Sequence, residues 1–178
     1  MKKLSKPVLL IAGAALVVVA IVGGVALSHN SSPSKTDKKQ VVTNYAPRDA
    51  SKILTADIAD QVAGKDATTK PAVATSTKDL KVTTSVYYSK TKLVSLSVRS
   101  PLNKAVAADN IRHFNTSKSK NAQVVKDFGD SAYWDPMFHT FSILKGSTWY
   151  ILSAGGLDAS ARSLDQSKAF AKLIVDKL

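Results

Sequence analysis

The longest apolar run of the chain is residues 7–28, PVLLIAGAALVVVAIVGGVALS, which carries no charged side chain. As a helix, 22 residues rise about 33 Å, close to the roughly 30 Å of a bilayer's hydrocarbon core. The pattern predicts one N-terminal transmembrane helix. Lys2, Lys3 and Lys6 lie immediately before it, so residues 1–6 read as a cytoplasmic basic flank, with the long C-terminal part translocated. A cleaved signal peptide is the competing reading. Its apolar region runs about 7–15 residues and ends in a small-x-small site; this run is longer, and Ala26-Leu27-Ser28 matches such a site only in part. The expected placement is a single pass through the plasma membrane with an extracytoplasmic C-terminal domain. The alternative is secretion after cleavage near Ser28.

Residues 29–47 mix Ser, Thr, Asn, Pro and Lys with few large apolar residues, the composition of a flexible tether. The folded domain is expected over residues 48–178. In SKILTADIADQVAG, Leu54, Ile58 and Val62 recur every four residues and Gly64 supplies a stop, which predicts a short helix broken near Thr55. KDATTKPAVATSTKD reads as a loop or weak edge strand, because Pro71 cannot donate to a ladder.

The period then changes to two. In LKVTTSVYYS, Leu80, Val82, Thr84, Val86 and Tyr88 alternate with Lys81, Thr83, Ser85 and Tyr87; in LVSLSVRS, Val94, Leu96 and Val98 alternate with Ser95, Ser97 and Arg99. These strands form a hairpin through Ser89–Lys92. NKAVAADNIRHF is a helix offering Val106, Ile111 and Phe114 for burial, and AQVVKDF is a short strand. A second hairpin spans FHTFSILKGSTWYILSAG, turning at Lys145-Gly146-Ser147, and SARSLDQSKAFAKLIVDKL closes the chain as an amphipathic helix. The order lacks regular βαβ alternation and the strands show a polar face. The expected fold is therefore α+β, an antiparallel sheet with helices packed on one face.

Composition narrows the function classes. The chain has no Cys, which excludes disulfides, thiolate nucleophiles and zinc–thiolate sites. All thirteen acidic residues are Asp; three of the 25 basic residues precede the apolar run, which leaves a net of +9 beyond it. Such a surface attracts anionic polymers or lipid head groups. The lysines are spread along the chain, so a nucleic-acid partner is not expected.

KDFGDSAYWDP, Lys126–Pro136, is the densest patch of candidate chemistry. A kinase reading of Asp127-Phe128-Gly129 fails, because the chain has no Glu to pair with a phosphate-binding Lys and no H-R-D loop. Asp127, Asp130 and Asp135 are candidate ligands of a hard cation, but their spacing does not fit a calcium loop. The favoured reading is a structural corner of Gly129, Asp130, Ala132, Tyr133 and Pro136, in which Gly129 takes φ > 0 and Asp130 bonds nearby backbone. No metal, cofactor or catalytic residue is assigned. His29, His113 and His139 show no H-x-x-x-H spacing, and G-x-S-x-G is absent. Tyr133, Trp134, Trp149 and Tyr150 read first as core, and second as walls of a ligand site between helix and sheet.

The segments SKILTADIADQVAG, FGDSAYWD, FSILKGSTWYIL and AFAKLIVDKL together resemble the small exported lipoproteins and sensor-type domains of actinobacteria, some with a PsbP-like α+β fold. The resemblance places Gly129, Asp130, Ala132 and Tyr133 at a family corner and implies no catalytic residues. The lipobox Cys and paired cysteines of such proteins are missing here, and the apolar run stands in place of the first. The expected function is a membrane-anchored, non-catalytic binding domain of the cell envelope. Its expected partner is an anionic envelope polymer or another envelope protein. The alternative is a small-molecule carrier or sensor with an apolar pocket. A hydrolase with dispersed Ser, His and Asp is a remote third.

Overall fold

The structure, a computed structural model, describes residues 45–178. The expected span and the tether as far as residue 44 lie outside the described residues. Among those described, α1 (Ala50–Ile53) and α2 (Ala56–Ala63) lead into β1 (Thr68–Ser76), β2 (Leu80–Tyr88) and β3 (Lys92–Pro101). Then come α3 (Lys104–Thr116), β4 (Gln123–Val125), β5 (Ser131–Asp135), β6 (Thr140–Lys145), β7 (Thr148–Gly156) and α4 (Leu164–Ile174). The protein is α+β, with one seven-stranded antiparallel sheet in the order β1-β2-β3-β7-β6-β5-β4. Two meanders, β1–β3 and β4–β7, join where β3 pairs with β7. Helix α3 carries the chain from β3 to the far edge at β4.

The helices form where the sequence supplies stops and caps. The first helical segment breaks at Leu54, whose backbone turns extended (φ −87°, ψ 91°) and sends its side chain fully into the core. Thr55 occupies the position before α2 without a capping bond from its side chain, and Gly64 ends α2 at φ +101°. The start of α4 is a reciprocal capping box between Ser163 and Gln166, which satisfies two otherwise unpaired helix-end donors.

Register assigns each residue to a face. Val98, Tyr150, Ile143 and Ala132 are successive cross-strand partners, and they join the main core beneath α1, α2 and α4 with Leu54, Phe170 and Ile174. Their neighbours in sequence point the other way. Trp149, Leu144 and Tyr133 form a second core with Phe114 of α3. The expectation of helices on one face is thus corrected: α3 covers the opposite face. The polar positions that suggested an open face are Ser95, Ser97 and Arg99, and one of them serves α3, since Arg99 bonds Asn110.

A second correction concerns β2. Thr83 and Ser85 lie opposite Val98 and Leu96, so the small polar face of β2 is the one turned to the main core, and both are buried. The reason is α1. Thr83 Oγ1 accepts from Ala50 N at 2.9 Å and donates to Arg48 O at 3.3 Å, while Arg48 N donates to Ser100 Oγ at 3.0 Å. A helix start laid on a sheet brings unpaired amides with it, and hydroxyls on the strand below satisfy them. Small side chains at these positions also let α1 approach.

The third correction is a missed strand. Ser131–Asp135 pairs with both β4 and β6, so Ala132, Tyr133 and Trp134 belong to a strand and not to a turn. At the sheet's outer edge, β1 does form, with a register break between Lys70 and Val73. A proline and a bulge both protect an edge strand from further pairing.

Thr83→Val keeps the shape of the side chain and removes both hydrogen bonds, leaving the Ala50 amide buried and unpaired. The expected loss is about 1–3 kcal/mol of unfolding free energy, read as a lower denaturant midpoint at unchanged slope. Ser76→Val, at an exposed site, is expected to leave the midpoint in place.

Candidate functional site

The turn between β4 and β5 holds two of the expected corner residues, Gly129 and Asp130; Ala132 and Tyr133 lie in β5. Asp127 has φ +70° and Gly129 φ +60°. Between them Phe128 is buried, its ring edge-on to Phe141 at 5.1 Å. A Cβ on Gly129 would lie 2.5 Å from Leu144 O and 2.8 Å from Ile143 Cγ2, so this position demands glycine on both conformation and space. Asp130 N donates to Leu144 O at 2.8 Å, and its carboxylate accepts from Gly146 N at 2.5 Å. The corner therefore clasps the β6–β7 turn. Pro136 is not part of it: β5 carries it to the opposite end of the sheet.

The three carboxylates of the patch part company for the same reason. Four residues of strand, about 13 Å at 3.3 Å each, separate Asp135 from Ser131 at the corner. Among the described residues no group of three or more His, Cys, Asp or Glu is placed to hold a metal ion. Asp135 has another task. It is almost wholly buried and its carboxylate accepts from Ser119 N at 2.8 Å, Ser119 Oγ at 2.7 Å and Met137 N at 3.0 Å. It ties the loop after α3 to the β5–β6 turn. The Asp-Pro pair signalled a turn; the bond to Ser119, sixteen residues away, had no local signal.

The four aromatics proposed as ligand walls lie on two faces. Tyr133 and Trp149 pack against Phe114 of α3, with ring centroids 5.0 and 5.8 Å apart. Trp134 and Tyr150 belong to the main core on the other face. All four are buried. The α3 side is closed by cations: Arg99 lies over the Trp149 ring at 5.3 Å and Lys118 over Tyr133 at 5.2 Å. Asn110, also buried, accepts from Arg99 Nε and donates to Ser147 O at 2.7 Å. This polar clamp is the second feature that sequence reading missed, because an Asn inside a helix reads as a surface residue.

His113 pairs with Asp109 at 3.2 Å on α3. His139 takes φ +51° and packs against Trp134; the nearby Ser153 hydroxyl donates to its backbone carbonyl. His29 lies outside the described residues. Neither described His ring is hydrogen-bonded to a serine.

Two surface grooves stand out among the described residues. One, between the β4–β5 turn and α4, has a volume of about 300 Å³ and is lined by Lys126, Asp127, Phe128, Lys168, Lys172 and Val175. Three ammonium groups stand around an apolar floor beside a single carboxylate. The other is larger, about 440 Å³, and is lined by Ala63, Gly64, Lys65, Asp66, Ser89, Lys90 and Thr91. No protein-family model, curated protein or solved structure matches the chain.

Gly129→Ala is expected to cost at least about 1 kcal/mol of stability, since the φ and the contact with Leu144 O both oppose a Cβ. The thermal melt checks it. Burial pushes the Tyr133 and Tyr150 phenols above the ordinary value. Both are neutral in folded and unfolded chain below about pH 10, so their contribution is full there and is lost as pH rises toward the folded-state values. Denaturant midpoints followed upward from neutral pH are expected to fall in that alkaline window, and to fall less in Tyr150→Phe.

Proposed function

We propose that the chain is a membrane-tethered, extracytoplasmic binding domain of the cell envelope, non-catalytic, whose partner is an anionic envelope polymer. The observation that carries this reading is the groove between α4 and the β4–β5 turn. Lys168 and Lys172 stand one helical turn apart on α4, and Lys126 meets them from the turn. Like charges so spaced repel by a few tenths of a kcal/mol, a cost that a bound anion removes. The floor of Phe128 and Val175 lowers the local dielectric, which strengthens attraction between an ammonium group and a phosphate or carboxylate. The positive balance of the whole domain adds long-range attraction to the same partners. The uncharged run at residues 7–28 and the likeness to small exported domains support the placement.

Inorganic polyphosphate serves as the probe for a phosphate-bearing polymer. Binding to the full chain in neutral detergent micelles is expected to weaken steeply from low to physiological salt, as screening shortens to about 8 Å. Lys168→Gln with Lys172→Gln is expected to lower affinity at least about tenfold, taking roughly 1 kcal/mol per lysine. Unchanged affinity in the double variant, with the fold intact by circular dichroism, overturns the reading.

A further inference from the structure

Of the large apolar side chains exposed among the described residues, three gather at one end of the sheet. Met137 is 67% exposed, Phe138 50% and Leu157 40%. Strand direction fixes this grouping. The pairs Asp135↔Thr140, Lys92↔Gly156 and Thr68↔Tyr88 all lie at the same end, where β5 and β7 finish and β6 and β3 begin. Leu157 N bonds Thr91 O across that end.

The apolar tip is held, not hanging. Asp135 fixes the Met137 amide and the Ser119 loop together, and Ser153 holds the His139 carbonyl. A turn stiffened on both sides presents Met137 and Phe138 to solvent without losing much freedom when they are covered. Around them the end is basic. Lys65, Lys90, Lys92, Lys118, Lys120 and Arg162 lie in the loops and strand starts of this end, against exposed Asp66, Asp158 and Asp165, the last in the first turn of α4. The other end mixes the signs more evenly, with Asp79, Asp127 and Asp130 among Lys78, Lys104, Lys126 and Lys145.

We infer that the β5–β6 turn, with Met137 and Phe138 at its tip and the lysines around it, docks this end of the domain on an anionic lipid surface. Apolar side chains surrounded by cations suit the boundary between head groups and acyl chains, where the first bury and the second pair with phosphates. Exposed apolar patches rimmed by polar groups mark contact sites, membrane surfaces among them, and the excess of cations here selects the anionic lipid. The contact is separate from the groove beside α4.

The absence of Cys permits a single reporter. Met137→Cys in the full chain, labelled with an environment-sensitive fluorophore, is added to vesicles of phosphatidylcholine alone or mixed with phosphatidylglycerol. The expected result is a blue shift, with quenching by lipid-borne nitroxide, in the anionic vesicles and much less in the neutral ones. The same label at Lys78→Cys, at the opposite end, is expected to stay in water in both. Phe138→Ser beside the reporter is expected to lower the quenched fraction at limiting lipid by about tenfold, from the apolar area lost. Lys90→Gln with Lys120→Gln is expected to abolish the preference for anionic lipid. An unquenched label at 137, equal quenching at 137 and 78, or equal response in neutral vesicles overturns the inference. Each of these outcomes leaves the polyphosphate result at the α4 groove standing.

Discussion

Everything in this fold depends on the pairing of β3 with β7. Without it the main core is divided between the two meanders. Eight residue pairs run from Lys92↔Gly156 to Arg99↔Trp149, and the alternation along them feeds both faces: Val94, Leu96 and Val98 with Tyr150, Leu152 and Ala154 toward α1, α2 and α4, and Arg99 with Trp149 toward α3. A slip of one residue would exchange the two sets, placing Arg99 under α4 and Val98 under α3. The register is therefore fixed by two cores at once, and α3 can cross to the far edge only because the sheet beneath it is already continuous.

Apolar burial drives this collapse, but small polar groups decide how the pieces fit. Thr83 receives the start of α1, Asn110 joins α3 to the β6–β7 turn through Ser147, and Asp135 joins the end of α3's loop to the β5–β6 turn. Each satisfies backbone groups that would otherwise be buried unpaired, and each links segments that no strand ladder connects. The hydrophobic term is indifferent to direction; these bonds are not. Buried polar groups of this kind lose more when one partner is removed than they contribute on balance, which makes them effective guards of a single arrangement.

The sequence showed the elements whose signals are local. The helix over residues 164–174 has its apolar stripe, the β2–β3 and β6–β7 hairpins have period two and short turns, and the helix that follows the break near Thr55 ends at Gly64. The failures come from interactions at a distance. The face of β2 could not be assigned, because Thr83 is buried where it receives a helix start more than thirty residues earlier. Alternation alone names two faces without saying which is inside. β5 was concealed by its turn-forming neighbours: Gly129 before it and Pro136 after it lie seven positions apart, and the aromatics between them fit a corner as well as a strand. The groove beside α4 was invisible for a simpler reason, since Lys126 and Lys168 are 42 positions apart and only the β4–β5 turn brings them together.

The short strand β5 also relates the two surfaces proposed for binding. The corner at its start lines the basic groove through Lys126, Asp127 and Phe128; the buried Asp135 at its end supports the exposed Met137 and Phe138. Antiparallel geometry sends successive turns to opposite ends of a sheet, so the groove lies at the end of β5 away from the tip. A domain resting on lipid through Met137 and Phe138 would therefore turn the β4–β5 corner outward, toward polymer and not toward the bilayer. The two contacts need not compete for one patch of charge: the cations near the tip sit at chain positions different from the three that line the groove. A rigid strand of five residues sets the separation between them, and Gly129 and Asp135 at its two ends hold each surface in its own orientation.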